Sequence, residues 1–205
     1  MLRNILFSML IFGLCIPLNG CMVIFQRGRT VDVEKISRLK GELGELERAK
    51  KALEDRLSKE ISDKEVKVEM LSKGLVITFV AEVLFDSGKA LLREDSLEKL
   101  DKVSQVLQTV VPDLSIGIEG HTDNDPIKYS AWKSNWELSS ARALSVLHHL
   151  EERGGVASKR LAAIGYGEYR PVSTNDEKVG RQKNRRVEIV ILPPVNKKSA
   201  EELTQ

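Results

Sequence analysis

Asp123, Asn135, Ser139 and Arg142 form the group with the clearest chemical potential in this sequence. Asp123 follows a strand-like run and opens a polar segment that leads into a helix-like run. Loops just past strand ends are where scaffolds place binding residues. Asn135, Ser139 and Arg142 are spaced i, i+4, i+7, which sets them on one stripe of a helix. That stripe begins at the helix N-terminus, whose free N–H groups favour an anion. A carboxylate, an amide and a guanidinium therefore converge on one place. Such a set suits a zwitterion: Asp123 takes an ammonium, and Arg142 takes a carboxylate in a bidentate fork. The same spacing also fits an internal salt bridge between Asp123 and Arg142 that holds loop to helix.

Other chemistries find less support. His121 and Asp123 are two apart, and His148 and His149 are adjacent. There is no H-E-x-x-H, no Cys pair and no i, i+4 His pair, so spacing points to no metal site. Ser87, Ser139 and Ser140 occur without a G-x-S-x-G elbow, and no spacing singles out an acid–base pair among Glu119, Asp123 and Asp125. Neither an enzyme nor a cofactor is expected.

The elements that must position the group follow from periodicity. Val66 and Val68 alternate with Lys67 and Glu69, Lys73-Gly74 reads as a turn, and residues 75–80 make a second strand of a hairpin. Leu97, Leu100, Val103, Leu107 and Val110 line one face of a helix over 96–111. Residues 114–119 form a strand. A second helix covers 134–153, opened by the capping-box pattern Ser134-Asn135-Trp136-Glu137 and closed at Gly154-Gly155. A short strand over 161–164, a long loop over 169–182 and a last strand over 187–192 complete the reading. The expectation is an α+β fold: a mixed sheet of about four strands with two main helices on one face.

Before this domain, residues 31–61 are rich in Glu, Lys, Arg and Leu. Ile36, Leu39, Leu43, Leu46, Leu53 and Leu57 follow a heptad seam, with Lys50 in one core slot. This is a charged amphipathic helix or short coiled coil, a route to a homo-oligomer or a simple spacer. Residues 1–20 have the layout of an export signal: Arg3, an apolar run, then Leu18-Asn19-Gly20-Cys21. Leu at −3, a small residue at −1 and Cys at +1 resemble a lipobox, which implies lipidation of Cys21, palmitate included, and a membrane anchor. Residues 21–30 are then a linker, 62–193 the folded domain and 194–205 a polar tail. Cys15 and Cys21 are the two cysteines, so none remains for a disulfide. The net charge of +2, from 32 basic and 30 acidic residues, speaks against nucleic-acid binding.

Four motifs carry a resemblance: Phe85-Asp86, Gly120-His121-Thr122-Asp123, Asn135-x-x-Leu138-Ser139-x-x-Arg142-Ala143 and Asn184-Arg185-Arg186-Val187. Together, over about residues 75–192, they resemble the OmpA-like domain. That domain is shared by outer-membrane protein A, the peptidoglycan-associated lipoprotein and the flagellar stator subunit MotB. The resemblance implies non-covalent binding of peptidoglycan through the stem peptide, especially meso-diaminopimelate, whose side-chain end is a zwitterion. It implies that Asp123 holds the ammonium and Arg142 the carboxylate. Thr122, Asn135 and Leu138 would shape the pocket, Asp86 would border it, and Arg185 would reach it from the last strand. Arg186 is as readily structural, since strand neighbours point to opposite faces.

One departure is the 124–134 segment, with Asp125-Pro126-Ile127 and Trp132, which looks more like the stator subunit than the outer-membrane members. A stator channel needs an ionisable residue in its span, and residues 5–25 contain no Asp or Glu. The expected protein is thus an outer-membrane-anchored lipoprotein that tethers envelope to wall; by resemblance to lipoprotein sorting, Met22 after the Cys favours the outer membrane. A stator-like wall anchor, or a scaffold without wall binding, is the alternative.

Overall fold

The computed structural model describes the backbone of residues 18–128 and 131–193, with side chains from residue 33 onward. The chain divides into two units at Leu43/Gly44. Helix α1 is Leu18–Arg56 and α2 is Ser58–Ser62. They are followed by strands β1, Val66–Leu71, and β2, Gly74–Val80, then the one-turn helix α3, Ala81–Leu84, and α4, Glu94–Thr109. Next come β3, Ile116–His121, and α5, Asn135–His148, which continues as a π-turn over His149–Arg153. β4 is Leu161–Gly165, α6 is Lys178–Asn184 and β5 is Arg186–Ile191.

The sheet has five strands in the order β1-β2-β5-β3-β4, one more than the sequence reading counted. β1–β2, β2–β5 and β5–β3 are antiparallel, and β3–β4 is parallel. The crossover between β3 and β4 is made by α5, as a parallel pair requires. Alternation sorts the two faces. Leu75, Ile77, Phe79, Ile116, Ile118, Val187, Ile189 and Ile191 join Leu100, Val103, Val106, Leu107, Ala143, Val146 and Leu150 of the helices in one core.

The heptad seam behaves differently along its length. Leu46, Ala49, Leu53 and Leu57 are buried in the domain core, so the fold begins well before residue 62, where the sequence reading opened the domain. Lys102 reaches back from α4 to the buried carboxylate of Glu60 at 2.8 Å. Ile36, Leu39 and Leu43, earlier in α1, are about half exposed. Residues 21–30, expected as a linker, are helical; the leader segment before residue 18 and the polar tail after 193 lie outside the described residues. Among the described residues, no helix is long and apolar enough to cross a membrane.

Two further differences have local causes. The expected 169–182 loop ends in α6, a seven-residue helix too short and too polar to show a hydrophobic period. The expected 134–153 helix is α-helical only to His148. After the π-turn, Gly155 takes φ +65, a left-handed conformation that suits glycine.

Candidate binding cleft

The cleft lies where the C-terminal end of β3 meets the N-terminus of α5. Close packing of α5 on β3 and β4 sets its geometry. Gly120 and Gly165 permit that approach. A Cβ on Gly120 would stand 2.1 Å from the carbonyl oxygen of Ser139, and one on Gly165 would stand 2.1 Å from Oγ of Ser140. At the start of α5, Ser134 accepts from the Glu137 N–H at 3.4 Å, and Glu137 accepts from the Lys133 N–H at 2.8 Å. The capping pattern read from the sequence therefore fixes where the helix begins. Ser139 accepts from the Gly167 N–H at 3.0 Å, tying the loop after β4 to the same helix.

Asp123, Arg142, Asn135, Thr122 and Leu138, all expected at the site, are buried and line one cleft of about 1270 Å³. Arg185 lines it too. The pairing within it departs from the simple salt bridge that the spacing also allowed. Asp123 Oδ2 accepts from Arg185 Nη1 at 2.5 Å, and Asp123 Oδ1 accepts from the Asp125 N–H at 3.2 Å. Arg185 also bonds Glu82, its Nε at 2.7 Å and its Nη2 at 2.5 Å from the same oxygen. Burial pulls the Arg185 guanidinium down, but its two carboxylate partners outweigh this and hold it above its ordinary range.

Arg142 is 4% exposed and has a different shell. Its Nε donates to the Lys89 carbonyl at 2.9 Å, and Nη2 donates to the Asp86 carbonyl at 3.4 Å. Its guanidinium carbon lies 5.1 Å from the centre of the Phe85 ring. Among the described residues no carboxylate lies within ion-pair distance of it. Burial drives its pKa down to about 10, with only distant help from Glu82 and Asp123.

Asn135 is a hub. Its side-chain amide donates to the carbonyls of Asp123 at 3.3 Å and Asp125 at 3.2 Å, and to Glu168 at 2.8 Å. Thr122 donates to the Asp123 carbonyl at 2.9 Å. Leu138 supplies an apolar wall. Asp86 is placed differently from the expectation. Its carboxylate turns away to Lys89 at 3.0 Å and Arg93 at 3.2 Å, and its contribution to the cleft is the carbonyl that accepts from Arg142. Asn184 accepts from the N–H groups of Val172 and Ser173 and donates to Ser173 and Asn175. It clamps the loop before α6, which sets the turn that sends Arg185 to the cleft and Arg186 into the sheet.

Sequence reading did not assign Lys89, Glu82, Lys128 or Trp132 to the site. Lys89 and Lys128 line the cleft beside Pro126 and Ile127. Trp132 Nε1 donates to the Gly88 carbonyl at 2.9 Å, joining the 124–134 segment to the opposite wall. A lone Trp in a polar loop was the one available signal.

The OmpA family model matches residues 84–185, from the end of α3 to Arg185. A solved structure of the cell wall anchor of the T6SS from Pseudomonas aeruginosa is 34% identical, with a TM-score of 0.63 over 69% of this chain and 97% of that one. The chain belongs to the OmpA family. Motility protein B of Bacillus subtilis (strain 168) is 42% identical over 73% of this chain and 57% of its own length. The outer-membrane lipoprotein YfiB of Pseudomonas aeruginosa is 33% identical over 60% of this chain and 70% of its own. The chain spans 50% to 57% of the Motility protein B relatives it matches. These OmpA-family relatives are named as motility, lipoprotein and wall-anchor proteins rather than as enzymes. The α+β fold expected from the sequence is therefore that of the family, with a five-stranded sheet.

Proposed function

We propose that this protein binds peptidoglycan without covalent chemistry, gripping the zwitterionic end of meso-diaminopimelate in the stem peptide. The observation that carries the reading is Arg142: a buried guanidinium with carbonyl and aromatic partners only among the described residues, in the same cleft as Asp123. A ligand carboxylate supplies the anion that the fold withholds, in a bidentate fork. Each Asp123 oxygen keeps a second lone pair for the ligand ammonium after its bonds to Arg185 and the Asp125 N–H. Asn135 and Thr122 hold the Asp123 backbone in position, Leu138 packs on the ligand's methylenes, and Arg185 fixes the orientation of the Asp123 carboxylate. Charge-assisted bonds contribute roughly 1.5–3 kcal/mol each, so a single site is modest in affinity and repetition along the polymer adds avidity.

In this reading, Cys21 carries the lipid that anchors the chain in the outer membrane. Residues 31–43, whose Ile36, Leu39 and Leu43 stay half exposed, space the domain from the membrane or pair with another copy, and the domain tethers envelope to wall from the periplasm. The lipoprotein relative supports it. The 42% identity to Motility protein B supports the alternative equally: a stator-like wall anchor with the same cleft and a different membrane attachment.

The test is co-sedimentation of the full chain with purified peptidoglycan, with free diaminopimelate as competitor, beside folded Arg142→Met and Asp123→Asn variants. Wild type should pellet and be released by the competitor, while both variants stay in solution. Pelleting by folded variants as strong as by wild type overturns the reading. Palmitate labelling lost in Cys21→Ser separates the lipoprotein from the stator-like alternative.

A further inference from the structure

A second cluster lies on the sheet face opposite α5. On β3, Glu119 and His121 alternate with Gly120, which faces Ser139 of α5. Across the antiparallel pair, Glu119 stands opposite Glu188 and His121 opposite Arg186. Two carboxylates directly opposed on neighbouring strands repel unless a cation lies between them. Here that cation is the ammonium of Lys73, 2.5 Å from Oε2 of Glu119 and 2.5 Å from Oε2 of Glu188. Lys73 comes from the β1–β2 turn, and its side chain is 36% exposed.

The remaining member is His121. It is 3% exposed, and neither ring nitrogen has a hydrogen-bond partner among the described residues. Its Nε2 points at the carboxylate pair, 3.9 Å from Glu119 Oε2, and its ring is held by stacking on Tyr166 at 5.2 Å. A buried imidazole without partners is unfavourable by the full loss of its hydration. One donor atom each from Glu119, His121 and Glu188 lies within 4.8 Å of the others. Tetrahedral zinc, with bonds of about 2.0–2.2 Å, wants neighbouring donors roughly 3.4 Å apart, so small side-chain rotations close the set.

We propose that Glu119, His121 and Glu188 form a binding site for a divalent transition-metal ion such as Zn2+, with Lys73 as its exchangeable internal competitor. The sequence reading expected no metal site, because two of the ligands are nearly 70 residues from the third and the sheet register alone brings them together. One imidazole nitrogen and two carboxylates suit zinc with an open fourth position. When the ion enters, the ammonium of Lys73 swings to solvent on its flexible stem. Arg186, 2.5 Å from the other oxygen of Glu188, remains and orients that carboxylate.

The experiment is titration of the full chain in detergent with Zn2+ alone, in competition with a chromophoric chelator. The variants are His121→Asn, Glu188→Gln, Lys73→Met and, for the exposed imidazole beside Glu151 and Glu152, His148→Asn. One equivalent should bind to wild type and to His148→Asn. Loss of a ligand should weaken binding at least about tenfold in His121→Asn and Glu188→Gln, and removal of the competitor should tighten it in Lys73→Met. Absence of binding to wild type, unchanged binding in His121→Asn, or loss confined to His148→Asn overturns the proposal. If His121→Asn fails to fold, Co2+ added to wild type decides: visible bands of a low-symmetry nitrogen–oxygen site support it, and the spectrum of the aqueous ion overturns it.

Discussion

Arg185 donates to Asp123 at 2.5 Å, while Arg142, in the same cleft, has only carbonyl oxygens as hydrogen-bond acceptors among the described residues. One arginine thus pairs with the internal carboxylate, and the other has no carboxylate within ion-pair distance among the described residues; in the proposed function it takes an external one. This division makes the two arginines unequal, and their substitutions should read out differently.

Arg142→Met keeps much of the side-chain volume and removes a desolvated charge. It leaves two carbonyls without their donor, at roughly 1–3 kcal/mol each, partly offset by loss of the buried cation's desolvation penalty. Urea denaturation should therefore show a net change under about 3 kcal/mol, while wall co-sedimentation falls to background.

Arg185→Ala should instead act mainly on stability and on Asp123. A double-mutant cycle of Arg185→Ala with Asp123→Asn should give a coupling of about 1–3 kcal/mol, the range of contacting charged pairs. Additivity within about 0.5 kcal/mol would show that the 2.5 Å pair contributes nothing.

Gly120→Ala places a methyl carbon 2.1 Å from a backbone oxygen of α5, where no flexible side chain can yield. The helix must shift away from β3, at about 1–3 kcal/mol by the usual scale of overpacking. Because Asp123 follows β3 directly and Arg142 sits on α5, the two elements forced apart, wall binding should fall with stability. A Tm equal to wild type would contradict the close approach.

Asn184→Ala removes four hydrogen bonds around the 172–175 loop and leaves the Val172 and Ser173 N–H groups without their acceptor. These two donors are part-buried, so each costs at most about 1–3 kcal/mol when left unpaired. The expected loss is about 2–5 kcal/mol by thermal denaturation, with Leu at the same position no better than Ala.

Stability should depend on pH through the cluster on the other face of the sheet. Burial holds His121 neutral, below its ordinary 6.5, so its contribution is present above that value and fades as pH falls through its lower folded pKa. Burial raises Glu119 and Glu188, but their partners, Lys73 among them, outweigh it and hold both below 4.5; their contributions fade at still lower pH. Lys73 is lowered by burial but raised further by Glu119 and Glu188, so its contribution is full below 10.5 and is lost as pH rises beyond it. Urea midpoints should be flat between these limits and fall on both sides. In Lys73→Met the alkaline loss should shrink.

Much of this was legible in the chain itself. Period-2 alternation marked β1, the apolar face from Leu97 to Val110 marked α4, and the Ser134 cap and Gly154-Gly155 stop marked α5. Ser134 and Glu137 set the start of α5 because a cap is a local hydrogen-bond requirement. The i, i+4, i+7 stripe put Asn135 and Arg142 on one helix, and the loop between the preceding strand and that helix carried Asp123. The sequence alone thus determined the fold class, the elements and the cluster of residues at the cleft. It also placed the heptad seam, but not which half of that seam the domain would bury, because a leucine stripe fits a partner helix and a domain core equally well.

Tertiary structure decided the pairings. Asp123 takes Arg185 rather than Arg142, and Asp86 turns to Arg93, because ion-pair choice depends on distances between elements far apart in sequence. The register of β3 on β5 brought Glu119 and His121 to Glu188, and the β1–β2 turn delivered Lys73 between the carboxylates. Periodicity reports which face a residue occupies; only the packed sheet fixes which charges on that face meet.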